Sequence, residues 1–72
     1  MKTSRQLEIE EDIRSRHPGM LTMADVGAEL GVKNRSTIRR FLEGLPSYEI
    51  SGRRRWRISD VAKRLCELVG TT

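Results

Sequence analysis

The stretch Leu45 to Ile58, LPSYEISGRRRWRI, constrains the fold of this chain more than any other. Two short runs of alternating apolar and polar residues flank a Gly-Arg-Arg tip, which is the pattern of a β-hairpin. Residues facing each other across a hairpin share one face, so the apolar residues test the register. A two-residue loop at Gly52-Arg53 sets Ile50 against Arg55 and Glu49 against Trp56, mixing core and charge on both faces. A three-residue loop at Gly52-Arg53-Arg54 pairs Ile50 with Trp56 and Tyr48 with Ile58, leaving Ser51 against Arg55 and Glu49 against Arg57. The second register is therefore expected over residues 47–58, with Gly52 supplying a positive φ in the loop. It makes a finger anchored by Tyr48, Ile50, Trp56 and Ile58, with Arg53 and Arg54 at the tip and Arg55 and Arg57 on the open face.

The remaining sequence reads as four helices around that finger, in a single domain of residues 1–72 that is mainly α. A chain this short buries only roughly 60% of the surface its unfolded form exposes, so modest stability is expected. An amino-terminal helix is predicted over 3–17, with Thr3 and Gln6 at capping-box spacing and Leu7, Ile9 and Ile13 facing inward. It stops at His17-Pro18-Gly19, where His17 reads as an ordinary helix-end residue. A second helix covers 22–31, with Thr22 as N-cap, Asp25 three residues on, inward positions among Met23, Val26, Ala28 and Leu30, and Gly31 as the stop. Gly27 in mid-helix implies the close approach of another helix. After a polar turn at Lys33-Asn34-Arg35, a third helix covers 36–44, turning Ile38, Phe41 and Leu42 inward and Ser36, Thr37, Arg39, Arg40 and Glu43 outward. A last helix covers 60–69, with Ser59 as cap, Val61, Leu65, Leu68 and Val69 on one face and Gly70 as terminator.

Charge separates these segments more sharply than the net value of +4 suggests. Residues 33–57 hold eight Lys/Arg against two Asp/Glu, whereas residues 1–32 hold four against six. A local excess of this size points to a polyanion partner. A lone Cys66 and a lone His17 exclude an internal disulfide and a protein-only zinc site, and no cofactor is expected. Cys66 is expected as a small buried or half-buried residue. The chain has no apolar run of membrane-spanning length and no signal-peptide core, so a soluble intracellular protein without membrane contact is expected.

A short helix with an outward Arg/Ser/Thr face fits a DNA major groove, and an adjacent cationic hairpin can reach the neighbouring backbone or minor groove. Arg grips phosphate or guanine bidentately, and small hydroxyl residues near a helix N-terminus bind phosphate with help from backbone N–H groups. Both surfaces fall within the basic middle of the chain.

The matching motifs are L-T-x-x-D-V-x-x-x-L-G-V from Leu21 to Val32, S-T-I-R-R from Ser36 to Arg40, Leu45-Pro46, and G-R-R-R-W-R-I-S from Gly52 into the last helix. With them, the run from Leu21 to Leu68 resembles the small excisionase-like DNA-binding proteins of bacterial mobile elements and phages, and the related MerR-like winged-helix domains. The resemblance implies a winged helix-turn-helix with an extra N-terminal helix. In it the helix after the turn enters the major groove and the wing meets the minor groove or phosphates. Carried over, Lys33, Arg35, Ser36, Thr37, Arg39 and Arg40 become the turn and groove residues, and Arg53, Arg54, Arg55 and Arg57 the wing contacts. The chain departs from the pattern in a turn one residue longer between Val32 and Thr37, and in Gly27 where Ala is common. It lacks the long dimerisation helix and effector domain of a MerR regulator, which favours a stand-alone excisionase-like protein.

The expected activity is thus sequence-preferring binding of double-stranded DNA at a recombination site in a bacterial cytoplasm, without catalysis. The resemblance also implies an integrase or recombinase partner and cooperative self-association on DNA. The amino-terminal helix either covers the hydrophobic base or contacts a second copy or the recombinase. A small transcriptional repressor is the alternative, with the same binding mode. A protein-interaction module built on the acidic first helix is a third reading. Trp56 and Tyr48 as stacking platforms for single strands, or the arginines as a merely solvated face, agree less well with the register and with the crowding of charge at one hairpin. No Ser-His-acid or paired-carboxylate constellation is present, and Asp25 with Glu29 reads as an exposed acidic face.

Overall fold

The longest helix begins at the first residue able to cap one. Thr3 Oγ1 accepts a hydrogen bond from Gln6 N at 3.1 Å, and α1 runs Ser4–Arg16 with Arg14 and Arg16 complementing its C-terminal dipole. The computed structural model describes residues 3–69, and within them three further helices and one two-stranded antiparallel hairpin follow. The inward arc of α1 is Gln6, Ile9, Glu10 and Ile13, at spacings of three and four, and not the expected Leu7, Ile9 and Ile13. Leu7 is 47% exposed, because six residues before Ile13 places it about a third of a turn away round the helix. Two polar side chains are buried in its stead, and they satisfy one another: Gln6 Nε2 donates to Glu10 Oε2 at 3.3 Å, and Arg14 Nη2 lies 3.9 Å from Glu10 Oε1.

Helix α2, Met23–Leu30, starts with a complete capping box. Asp25 N donates to Thr22 Oγ1 at 3.2 Å, and Thr22 N donates to Asp25 Oδ2 at 3.0 Å. Val26 and Gly27 are its buried positions, Met23 and Leu30 are half-buried, and Ala28 faces outward, contrary to expectation. Gly31 closes it. Helix α3, Arg35–Leu42, starts one residue earlier than predicted and ends two residues sooner. Its N-cap is Asn34, whose Oδ1 accepts from Ser36 N at 2.9 Å and from Ser36 Oγ at 2.6 Å, which draws Arg35 out of the turn and into the helix. Ile38 and Leu42 are buried and Phe41 is half-buried, as the apolar stripe requires. Gly27 is where α2 and α3 meet: a Cβ there would lie 2.7 Å from Ile38 Cδ1 and 3.0 Å from Val32 O.

The hairpin overturns the expected register. Strands β1, Ser47–Ile50, and β2, Arg53–Trp56, pair Ile50 with Arg53, Glu49 with Arg54, Tyr48 with Arg55 and Ser47 with Trp56. The loop is Ser51-Gly52 and not Gly52-Arg53-Arg54, so Arg53 and Arg54 lie in the strand and not at the tip. Both loop residues have positive φ, 53° and 78°, the signature of the type I′ turn whose twist matches the flanking strands. Trp56 finds its apolar surroundings without Ile50, because β2 pairs outward with the segment between α1 and α2: Leu21 N donates to Trp56 O and Trp56 N to Leu21 O, each at 2.8 Å. Trp56 is thereby buried, while Tyr48 and Ile50, on the other face of the ladder, are 39% and 43% exposed and do not anchor the finger.

Ile58 is not a strand residue either. It opens α4, Ile58–Val69, and is buried there. Val61 N donates to Arg57 O at 3.2 Å, so Ser59 sits inside the first turn and not at the cap, and Arg57 occupies the junction between β2 and α4. Val61 and Ala62 face the core and Leu65 is half-buried, but Leu68, expected inward, is 55% exposed. The side chain of Val69 and the terminator Gly70 fall outside the described residues. Helix α4 lies along α1, its far end meeting the start of α1 where half-buried Cys66 Sγ comes within 3.7 Å of Thr3 Oγ1. The core draws on Ile13, Val26, Ile38, Trp56 and Val61 from five elements, with Leu21 fully enclosed between them. Among the described residues no helix is long and apolar enough to cross a membrane.

Gly27→Ala is expected to destabilise the fold by about 1–3 kcal/mol, since overpacking at Ile38 outweighs the gain in helix propensity. Adding Ile38→Val, which removes the nearest clashing atom, is expected to recover part of the loss in urea-melt comparisons of the two variants.

Candidate nucleic-acid interface

Among the described residues a cluster of ion pairs lies where the end of α1 meets α2, away from the most basic elements. Arg16 donates bidentately to Asp12, with both contacts at 2.9 Å, and also to Glu29, with its Nε 2.8 Å from Oε2. His17, at the end of α1, places Nε2 2.9 Å from Glu29 Oε2 and Nδ1 3.5 Å from Asp25 Oδ1. The Arg16 guanidinium, through its hydrogen bonds, holds the carboxyls of Glu29 and Asp12 below their ordinary range, and for Glu29 this prevails over desolvation. Glu29 is buried to 8% side-chain exposure. Asp25 and Glu29 are therefore not a free acidic face but the anionic half of a clasp between α1 and α2. His17 is correspondingly a clasp residue and more than a helix terminus.

The basic residues of α3 and the hairpin differ. Lys33, Arg35, Arg39, Arg40, Arg53, Arg54, Arg55 and Arg57 have no side-chain hydrogen bond or ion pair with any other described residue. Arg55 is half-buried and the other seven are exposed. Three of them converge. Ser36, Arg39 and Arg40 on α3, and Glu43 just past its end, line one concavity together with Ser47, Arg54 and Trp56 on the hairpin, with Met23 and Leu42 also lining it. The convergence follows from ladder parity. Opposed residues share a face, so Trp56, turned inward by its pairing with Leu21, carries Arg54 to the same side, facing α3.

The other expected contact residues are placed elsewhere. Lys33 and Arg35 line a separate groove where α2 meets α3, beside Gly27, Val32 and Ile38. Thr37 is exposed on the flank of α3, about 100° round the axis from Ser36, and does not line the concavity. Arg53 and Arg55 share the outer face of the hairpin with Tyr48 and Ile50. Arg57 lines a third groove with Glu10, Arg14, Met20 and Tyr48. The expected row of four finger arginines is thus divided over two faces and a junction.

Two positioning residues escaped the sequence reading. Asn34 orients the start of α3, and its signal was legible: a cap-type residue two positions before Ser36. Arg64 orients the end, donating through Nη1 to Phe41 O at 2.8 Å and to Glu43 O at 3.1 Å. It satisfies carbonyls that a helix terminus leaves open, and places a cation at the negative end of the dipole. Nothing local announces it, because the two partners are 21 and 23 residues away in the chain.

The arrangement offers two guanidinium groups on a helix and a third on a hairpin around one open concavity, all without ion-pair or hydrogen-bond partners among the described residues. Planar donors of this kind suit phosphate oxygens and the acceptor edge of guanine. Among the described residues no group of His, Cys, Asp and Glu side chains is arranged to hold a metal ion.

Because the Glu29 carboxyl is lowered in the folded state from its ordinary value of 4.5, its contribution to stability is present above that pH and lost as pH falls through the folded value. Glu29→Gln is expected to cost about 1.5–2 kcal/mol near neutral pH, the lower part of the range for hydrogen bonds to charged groups because Arg16 is half exposed. It is also expected to flatten the acid limb of the stability profile, as followed by urea melts from neutral to acid pH.

No family model, no curated protein and no solved structure matches this chain.

Proposed function

We propose that this chain is a winged helix-turn-helix module that binds double-stranded DNA with sequence preference, and that it acts as an excisionase-like factor at a recombination site. The observation that carries the DNA reading is the convergence of Arg39 and Arg40 on α3 with Arg54 on the hairpin, all three unpaired among the described residues. Helix α3 has eight residues, and like any α-helix it is about 10–12 Å across with its side chains, which fits the roughly 12 Å width of a B-DNA major groove. With α3 in that groove, Ser36, Arg39 and Arg40 face base edges and the strand-facing phosphates, and Glu43 can accept from a cytosine amino group. Arg54 then meets the flanking backbone, where it fixes position without reading sequence. The narrower reading, a recombination factor, rests on the likeness of Leu21 to Leu68 to excisionase-like proteins. An integrase gene beside this one supports it, and a regulated promoter there supports a repressor instead.

If about five phosphates are neutralised, log K falls against log salt with a slope of about −4.5. Gel-shift titrations on a duplex selected by the full chain from a random pool measure that slope, and affinity indifferent to salt overturns the reading. In the same assay Arg40→Ala relaxes base preference at one position, while Arg54→Ala weakens all duplexes alike and makes the slope shallower by about 1.

A further inference from the structure

The outer face of the hairpin takes no part in the concavity with α3, yet it carries the least expected surface of the molecule. Ile50, 43% exposed, is directly paired with Arg53 in the last rung before the Ser51-Gly52 turn. Behind it on the same face stand Tyr48, 39% exposed, and its partner Arg55. The finger is rooted at Trp56, three residues from Arg53, so this rung projects about 10 Å beyond the anchor. An apolar side chain is thus held out at the far end of a finger, opposite Arg53 and one rung from Arg55, whose guanidinium groups have no partner within the described residues.

We propose that Ile50 is an apolar wedge that enters a base step from the minor groove flanking the site occupied by α3, with Arg53 and Arg55 as its electrostatic guides. The inference rests on the DNA-binding reading above and adds to it a distortion of the duplex at one defined step. The fit is one of size and charge. Paired strands lie about 4.8 Å apart and the minor groove is about 6 Å wide, so the body of the ribbon stays outside and only side chains next to the turn reach the floor. The groove concentrates negative potential, which draws in Arg, and unstacking a step exposes an apolar surface that Ile can cover. Leu7, which is also exposed, lacks this setting: it stands on α1 beside Glu8 and Glu11, charges that a polyanion repels.

The test uses the full chain and a duplex it selects from a random pool, with 2-aminopurine placed in turn at each step flanking the α3 site and a donor–acceptor pair at the duplex ends. Wild-type protein is expected to raise 2-aminopurine fluorescence several-fold at one step and to shorten the end-to-end distance. Ile50→Thr, which keeps a β-branched residue in the strand, is expected to abolish both signals while affinity stays within a few-fold; Ile50→Leu is expected to retain them. Unchanged emission of the buried Trp56 verifies that the hairpin is intact in each variant. Binding without any fluorescence rise, or an Ile50→Thr protein that still produces it, overturns the wedge and leaves DNA binding standing. So does loss of cooperative loading on adjacent sites with the bend preserved, which would make Ile50 a contact between copies. Failure of the wild-type protein to bind any duplex overturns the DNA reading itself.

Discussion

The reciprocal pairing of Leu21 with Trp56 decides how the rest of the surface is arranged. Two backbone hydrogen bonds, each of 2.8 Å, tie the base of β2 to the segment leading into α2, and both side chains are then enclosed. Because a strand alternates faces at every residue, fixing Trp56 inward also fixes Arg54 beside it and sends Arg53 and Arg55 outward. A slip of one residue would exchange the two sets, exposing Trp56 and turning Arg53 and Arg55 toward the concavity in place of Arg54. The burial of one indole thus determines where charge is displayed.

A second constraint comes from length. Eight-residue helices do not persist alone in water, so α2 and α3 exist because their ends and one face of each are held. Thr22 with Asp25 and Asn34 with Ser36 secure the starts, Arg64 secures the end of α3, and the missing Cβ of Gly27 lets Ile38 seat against α2. The long helices α1 and α4 serve as the platform. The Arg16, His17 and Glu29 clasp joins α1 to the very helix that supports α3.

The element order, the caps at Thr3 and Thr22, the stripe of Ile38 and Leu42, and the closeness signalled by Gly27 were all legible, because each is written in residues a few positions apart. The hairpin register was not. Alternation alone favours one buried face shared by Tyr48, Ile50, Trp56 and Ile58, but Trp56 pairs with Leu21, a residue 35 positions upstream that gives no local sign of pairing. Relieved of that duty, Ile50 stays in solvent and Ile58 joins a helix. The same non-locality hid Arg64 and the clasp. Lys33, Arg35, Thr37, Arg53, Arg55 and Arg57 were expected in one interface by their charge or polarity and their proximity in sequence, and helical and ladder geometry distributes them over several surfaces.

Arg64 has an implication for how such a molecule can change. The backbone of α3 is held from behind, by Asn34, Ile38, Leu42 and a guanidinium donated from α4, while the side chains of Arg39 and Arg40 make no hydrogen bond or ion pair with any other described residue. What holds this helix and what it displays are therefore physically separable. Its exposed side chains are free to change at little thermodynamic penalty, whereas a change at Arg64, on another helix, would alter the pose in which they are presented.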